Sequence, residues 1–346
     1  MAGKLTPISV ALLITLITVQ DGATADPIEN FYHGKTLEFY IGTDAGPGAV
    51  TAYPRLIAEV LGSHVPGKPT VVIRYMPGGA GIKAGNFLYN LAPQDGTVIG
   101  FVSRGFILAP LLSSQAIFDP TKFNWVGSPT SETSVGVIWT AGTDVRTAQE
   151  AMQREVIVGG TAASNDTGLF PLILNEFAGT KFKSVLGYKS AATVEFAMER
   201  GEVQGKIGWT WGSLNSARTA DWFDTGKVTV LMQLGLKKSP KIPSRIPLAL
   251  DLAKTAEGRQ VMSLVFSPAD IGNPAFMGPG VPAERVNAIR IAYLQTMTDP
   301  RFLQLLRQQN LPVDPLDGAE IKKVVDEIYA LPPNVVRRTR ELLPPS

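Results

Sequence analysis

The chain of 346 residues has no cysteine, which removes any disulfide framework, thiol nucleophile or thiolate metal site. Histidine is nearly absent too. The two present, His33 beside Gly34 and His64 close to Pro66, read as loop or surface residues and not as metal ligands or catalytic bases. Charge of one sign is also scarce: 32 Lys and Arg face 30 Asp and Glu, for a formal net charge of +2. No basic stripe marks a nucleic-acid surface. The cluster Arg337-Arg338-Thr339-Arg340 follows Pro332-Pro333 and reads as the solvated end of a helix, where cations are favoured. After residue 25 no apolar run is long enough to cross a bilayer, since even Gly127 to Ala141 is broken by Ser, Thr and Glu132. A Walker A lysine pattern, a G-x-S-x-G elbow and an H-E-x-x-H pair are all missing, so an enzyme on this scaffold has little support. No cofactor or metal is expected.

What is present begins at the N-terminus. Lys4 precedes an apolar run from Ile8 to Val19, closed by Gln20-Asp21-Gly22 and followed by Ala23-Thr24-Ala25. The order of charge, apolar core and small residues is that of a secretory signal peptide. The run falls well short of the ~20 residues a spanning helix needs. Cleavage is expected after Ala25, which makes residues 1–25 the signal peptide and Asp26 the first mature residue. With 45% hydrophobic residues, the remainder can bury a large core, and its length favours two domains.

Leu37, Phe39 and Ile41 alternate at period two and break into Gly42 to Gly48, after which Tyr53, Leu56, Ile57, Val60 and Leu61 follow at helical spacing. This is strand, glycine-rich turn, helix. Val71-Val72-Ile73 predicts a second strand before the turn Met76 to Gly81, and Thr97 to Val102 a third before Ser103-Arg104-Gly105. The pattern restarts at Val156-Ile157-Val158, turns through Gly159 to Asp166, and continues into a helix bearing Phe170, Ile173, Leu174 and Phe177 on one side. Val228 to Leu234 predicts another strand, Lys237 to Pro247 a loop, and Val286 and Ile321 begin stripes of C-terminal helices. Alternating strands and helices indicate an α/β protein with mainly parallel sheet covered on both faces. The economical division places residues 26–137 and 233–346 in a first lobe and residues 138–232 in a second.

Many modest motifs, in order, resemble one family. Pro66-Gly67-Lys68-Pro69, Met76-Pro77-Gly78-Gly79-Ala80-Gly81 and Ala92-Pro93-Gln94-Asp95-Gly96-Thr97 are similar to landmarks of the tripartite tricarboxylate transporter receptors, also called Bug receptors. Phe123 to Ser128, Gly187-Tyr188, Ala197 to Val203 and the stretch from Gly280-Val281-Pro282-Ala283 to Asp299-Pro300 agree in turn. The resemblance spans nearly the whole chain beyond residue 25. It implies a two-lobed periplasmic binding protein of type II-like fold, with two crossing strands and a ligand cleft between the lobes. It also implies a monomeric periplasmic receptor, a small organic carboxylate as ligand and membrane permease components as partners. A receptor serving a sensor protein would use the same cleft.

The residues suit such a ligand independently. A glycine-rich turn before each helix presents unpaired N–H groups and the positive end of a helix dipole to an anion. Ligands of open α/β sheets sit beyond the C-terminal ends of strands, where these turns lie. The first-lobe candidates are Thr43, Gly48, Ala49, Val50 and Thr51, with Thr51 also able to cap its helix. Here the chain departs from the family, with Thr51 where an Asp is usual and Ala49 in place of a turn glycine. The second-lobe candidates are Thr161, Ala162, Ala163, Ser164 and Asn165. Ser103 and Arg104 follow the third strand, and the Arg104 guanidinium suits bidentate binding of a carboxylate. Tyr188 and Trp209 could supply flat apolar walls, although a core role is also open to each.

Overall fold

The computed structural model of the protein describes residues 26–45, 49–161, 163, 165–215 and 217–342. The expected signal peptide and three candidate site residues, Gly48, Ala162 and Ser164, lie outside the described residues.

The first sheet begins with β1 (Thr36–Ile41), β2 (Thr70–Tyr75) and β3 (Val98–Phe101). β1 runs parallel to both, Thr36 to Ile41 pairing with Thr70 to Tyr75 on one side and Glu38 to Ile41 with Val98 to Phe101 on the other. Parallel neighbours need crossovers, and the helices Ala49–His64 and Ile82–Asn90 provide them. Leu37, Phe39 and Ile41 are buried, as their period-two spacing requires. Every residue of β3 is buried, because both sheet faces are covered there. β4 (Asn124–Ser128) follows, and the chain then crosses to the second sheet through residues 129–133.

That sheet contains β5 (Ser134–Trp139), β6 (Val156–Gly159), β7 (Phe182–Val185), β8 (Gly205–Thr210) and β9 (Val228–Leu234), ordered β7-β6-β8-β5-β9. β6 is parallel to β7 and β8, while β5 is antiparallel to β8 and β9. The lobe boundary expected at residue 137 falls inside β5, which pairs with β9 from Ser134 to Trp139. After Leu234 the chain returns, and β10 (Ala275–Met277) and β11 (Leu316–Asp317) complete the first sheet in the order β11-β4-β10-β3-β1-β2. Both late strands are antiparallel to β4.

Each sheet has its own apolar cluster, one around Phe39, Ile57 and Tyr293 and one around Val137, Met198 and Trp222. A third joins the two halves, where the helix Ala256–Ile271 carries Phe266 to within 4.9 Å of Phe170 in the helix Asp166–Phe177, edge to face. The C-terminal basic cluster lies in the helix Pro333–Leu342, and two of its arginines are engaged within the molecule. Arg338 pairs with Glu176 and the Arg340 guanidinium donates to the Leu111 carbonyl.

Candidate functional site

Because β1, β2 and β3 run the same way, their C-terminal ends share one edge of the first sheet, and those of β6 and β7 share one edge of the second. The turns leaving these edges meet across the cleft. Arg104 leaves β3 and hydrogen-bonds through Nη2 to the Asp166 carboxylate, the first residue of the helix Asp166–Phe177. The two side chains keep 22% and 31% of their exposure. Burial pulls the Arg104 pKa below the usual guanidinium value, and the negative charge of Glu132 works against that shift. Arginine remains a cation under either influence.

Glu132 belongs to the first crossing between the sheets, where its N–H donates to the Ala269 carbonyl at 3.1 Å. Its Oε1 lies 3.6 Å from the point a Cβ on Gly212 would occupy, beside β8's exit, and Pro312 of the first lobe borders the same point at 3.5 Å. Tyr53, from the helix after β1, donates its phenol to the Pro312 carbonyl at 2.6 Å. The floor of the cleft thus carries a carboxylate, an anchored phenol and backbone from both lobes.

The remaining candidates divide. The Thr43 hydroxyl in the turn after β1 is buried and has no hydrogen-bond partner among the described residues, a donor and acceptor left open where most such groups are satisfied. Thr51 is 2% exposed, and its carbonyl accepts from Arg55 Nε at 3.1 Å. Val50 packs against the first-lobe core, and Ala49 opens the helix. Ser103 stands immediately before Arg104 at the mouth of β3. In the second lobe, the Asn165 amide donates to the Thr161 hydroxyl at 2.9 Å, and the Thr161 N–H donates to the Thr167 hydroxyl at 3.1 Å. These bonds hold the turn in shape, with Ala163 half-buried within it. Asn165 precedes the helix without capping it through its side chain.

Of the two aromatics, Tyr188 keeps to the second-lobe edge, its N–H donating to the Gly160 carbonyl at 3.3 Å, and Trp209 stands elsewhere. Trp209 is 2% exposed, sits edge-on to Trp222 at 6.0 Å, and has Lys206 Nζ 4.1 Å above its ring. It is core of the second lobe, not cleft wall. The Tyr188 ring lies against Gly159, and burial followed by the charge of Glu202 raises its phenol pKa. Asp166 and Glu132 were not among the sequence candidates. Asp166 has only the signature of a helix cap, and Glu132 that of an interruption in an apolar run.

His64 lies 2.9 Å from Asp299 at the C-terminal end of the helix Ala49–His64, the end opposite Thr51. Among the described residues no group of three or more His, Asp or Glu could hold a metal ion, and no helix is long and apolar enough to cross a membrane.

The two-sheet α/β fold is shared with solved structures. A TctC solute-binding protein from Polaromonas is 16% identical, with a TM-score of 0.68, over 89% of this chain and 99% of its own. The fold is that of a periplasmic solute-binding protein. MatC from Rhodopseudomonas palustris with bound malate is 15% identical, with a TM-score of 0.55, over 89% of this chain and 98% of that one. A further R. palustris protein with adipate is 19% identical, with a TM-score of 0.56, over 90% of this chain and 98% of that one. No protein-family model matches the sequence, and a search of curated proteins finds no match.

Proposed function

We propose that the protein is a receptor of the tripartite tricarboxylate transporter type, which takes one small organic carboxylate between its lobes and delivers it to membrane permease components. The observation that carries this reading is Arg104, the cation at the strand ends, which holds a carboxylate from the opposite lobe in its grip. A site that accepts Asp166 at Arg104 offers the geometry that a free carboxylate needs. The orphaned Thr43 hydroxyl adds a second polar group on the first-lobe side. Malate and adipate in two proteins of the same fold support an acid of this size.

In this reading residues 1–25 direct export to the periplasm, and the mature protein works there as a monomer. The lobes, one built on each sheet, close about the two crossings when an acid touches both. A ligand favours the closed form only through its differential affinity for it. A thermal-shift screen of the purified protein against mono-, di-, tricarboxylic and aromatic acids tests the proposal. A ligand at ~100 times its dissociation constant adds about 2.7 kcal/mol of stability, which raises the melting temperature visibly. A selective rise with one class of acid supports the proposal, and no rise with any acid from folded protein contradicts it.

A further inference from the structure

The pair formed by Arg104 and Asp166 constrains which acid the cleft can take. Any ligand carboxylate that reaches Arg104 must share the guanidinium with Asp166 or displace it. Two anions act on that guanidinium: Asp166, bound to it, and Glu132, whose charge works against the effect of burial. One cation faces two anions.

A plain dicarboxylate entering this site would bring two more negative charges and would strip Asp166 of its partner, leaving a partly buried carboxylate unpaired. Breaking such a pair from one side is strongly unfavourable. A ligand carrying both a carboxylate and an ammonium avoids the conflict, because it inserts between the partners and exchanges one ion pair for two. Its carboxylate takes Arg104 and its ammonium takes Asp166, with Glu132 adding attraction for the same cation.

Asp166 is also held where such a role requires it. Its backbone packs against Gly208, whose φ of +87° and lack of a Cβ allow the approach, with a would-be Cβ only 3.1 Å from the Asp166 Cβ. As the first residue of its helix, Asp166 sits at the positive end of the helix dipole.

Resting on the carboxylate-receptor reading, we infer that Asp166 is a ligand-contacting, specificity-determining residue and that the preferred ligand is a small amino carboxylate. Specificity of this kind works as much by rejection as by attraction. The anions that welcome an ammonium repel the second carboxylate of an otherwise similar diacid.

The experiment is titration calorimetry on the purified protein with matched pairs that differ by one amino group: propionate and alanine, succinate and aspartate, glutarate and glutamate. The amino member is expected to bind at least about ten-fold more tightly in the pair that fits, a difference of roughly 1.4 kcal/mol. Asp166→Asn should then erase or reverse that preference by weakening the amino acid and strengthening the plain acid. If plain acids bind as well as or better than their amino partners, the inference fails while the carboxylate reading stands. If the preference survives in Asp166→Asn, the residue assignment fails. Silence from every acid of both kinds overturns the carboxylate reading itself. The comparison of pairs on the wild-type protein decides the ligand class even if the variant does not fold.

Discussion

Asp270 Oδ2 accepts a hydrogen bond from the Leu236 backbone N–H at 2.7 Å, tying the end of the helix Ala256–Ile271 to the second crossing between the lobes. Its Oδ1 stands 2.9 Å from where a Gly235 Cβ would be, so the crossing runs against the carboxylate with no room for a side chain. The same helix end holds the first crossing, through the Glu132 N–H and the Ala269 carbonyl. One helix terminus therefore mounts both segments about which the lobes would close.

Burial pushes the Asp270 pKa from 3.8 up to about 6, against the opposing pull of the Leu236 bond and the Lys237 charge. A raised carboxyl pKa means that the folded state binds more protons than the unfolded state between those values. The contribution of this group to stability is therefore greatest below 3.8 and declines as pH rises through about 6. Asp270→Asn keeps an acceptor for Leu236 and removes the titration. The variant is expected to gain on the order of 1–3 kcal/mol over wild type at pH 7 and far less at pH 4. Denaturant unfolding at the two pH values checks this, and an equal difference at both would contradict it.

Gly272 follows the same helix with φ +57° and ψ −143°, a conformation that is nearly exclusive to glycine. A Cβ there would overlap the Thr130 carbonyl oxygen on the first crossing. Gly272→Ala is expected to destabilise the protein by about 3 kcal/mol or more through combined backbone strain and overlap. Urea unfolding that shows a loss below about 1 kcal/mol would mean the crossing relaxes freely.

Thr43 separates stability from binding. Its hydroxyl has no partner among the described residues, so Thr43→Val removes a desolvated group without breaking a bond seen there. The unfolding free energy should be unchanged or higher by up to about 1 kcal/mol. Affinity for the captured acid should fall about ten-fold, the worth of one buried hydrogen bond. Unaltered affinity would take Thr43 out of the site.

Much of this architecture is legible in the sequence because local patterning and tertiary placement agree. The alternation of Leu37, Phe39 and Ile41 marks a strand with a buried face, and the structure buries all three. The glycine-rich turns after β1 and β6 likewise stand before helices. The placement of Trp209 is not legible. It depends on the pairing of β8 with β5, which shifts register between Val135 and Gly136 and turns the ring toward Trp222 and Lys206. Thr161 and Asn165 have the chemistry of ligand donors, but they bond to the turn that carries them, with Asn165 donating to Thr161. Arg104 is recognisable as a cation at a strand end. That its partner is Asp166, 62 residues on, follows only from how the lobes face each other. Short-range pattern carries no record of that contact.

The most direct measurement of the central claim is the affinity of wild type and Arg104→Gln for the acid that stabilises the protein most, read by calorimetry with unfolding curves confirming that both are folded. Loss of a charge-assisted bidentate contact to a carboxylate is expected to weaken binding by about 100-fold or more. An affinity within about three-fold of wild type would contradict the claim that Arg104 holds the ligand.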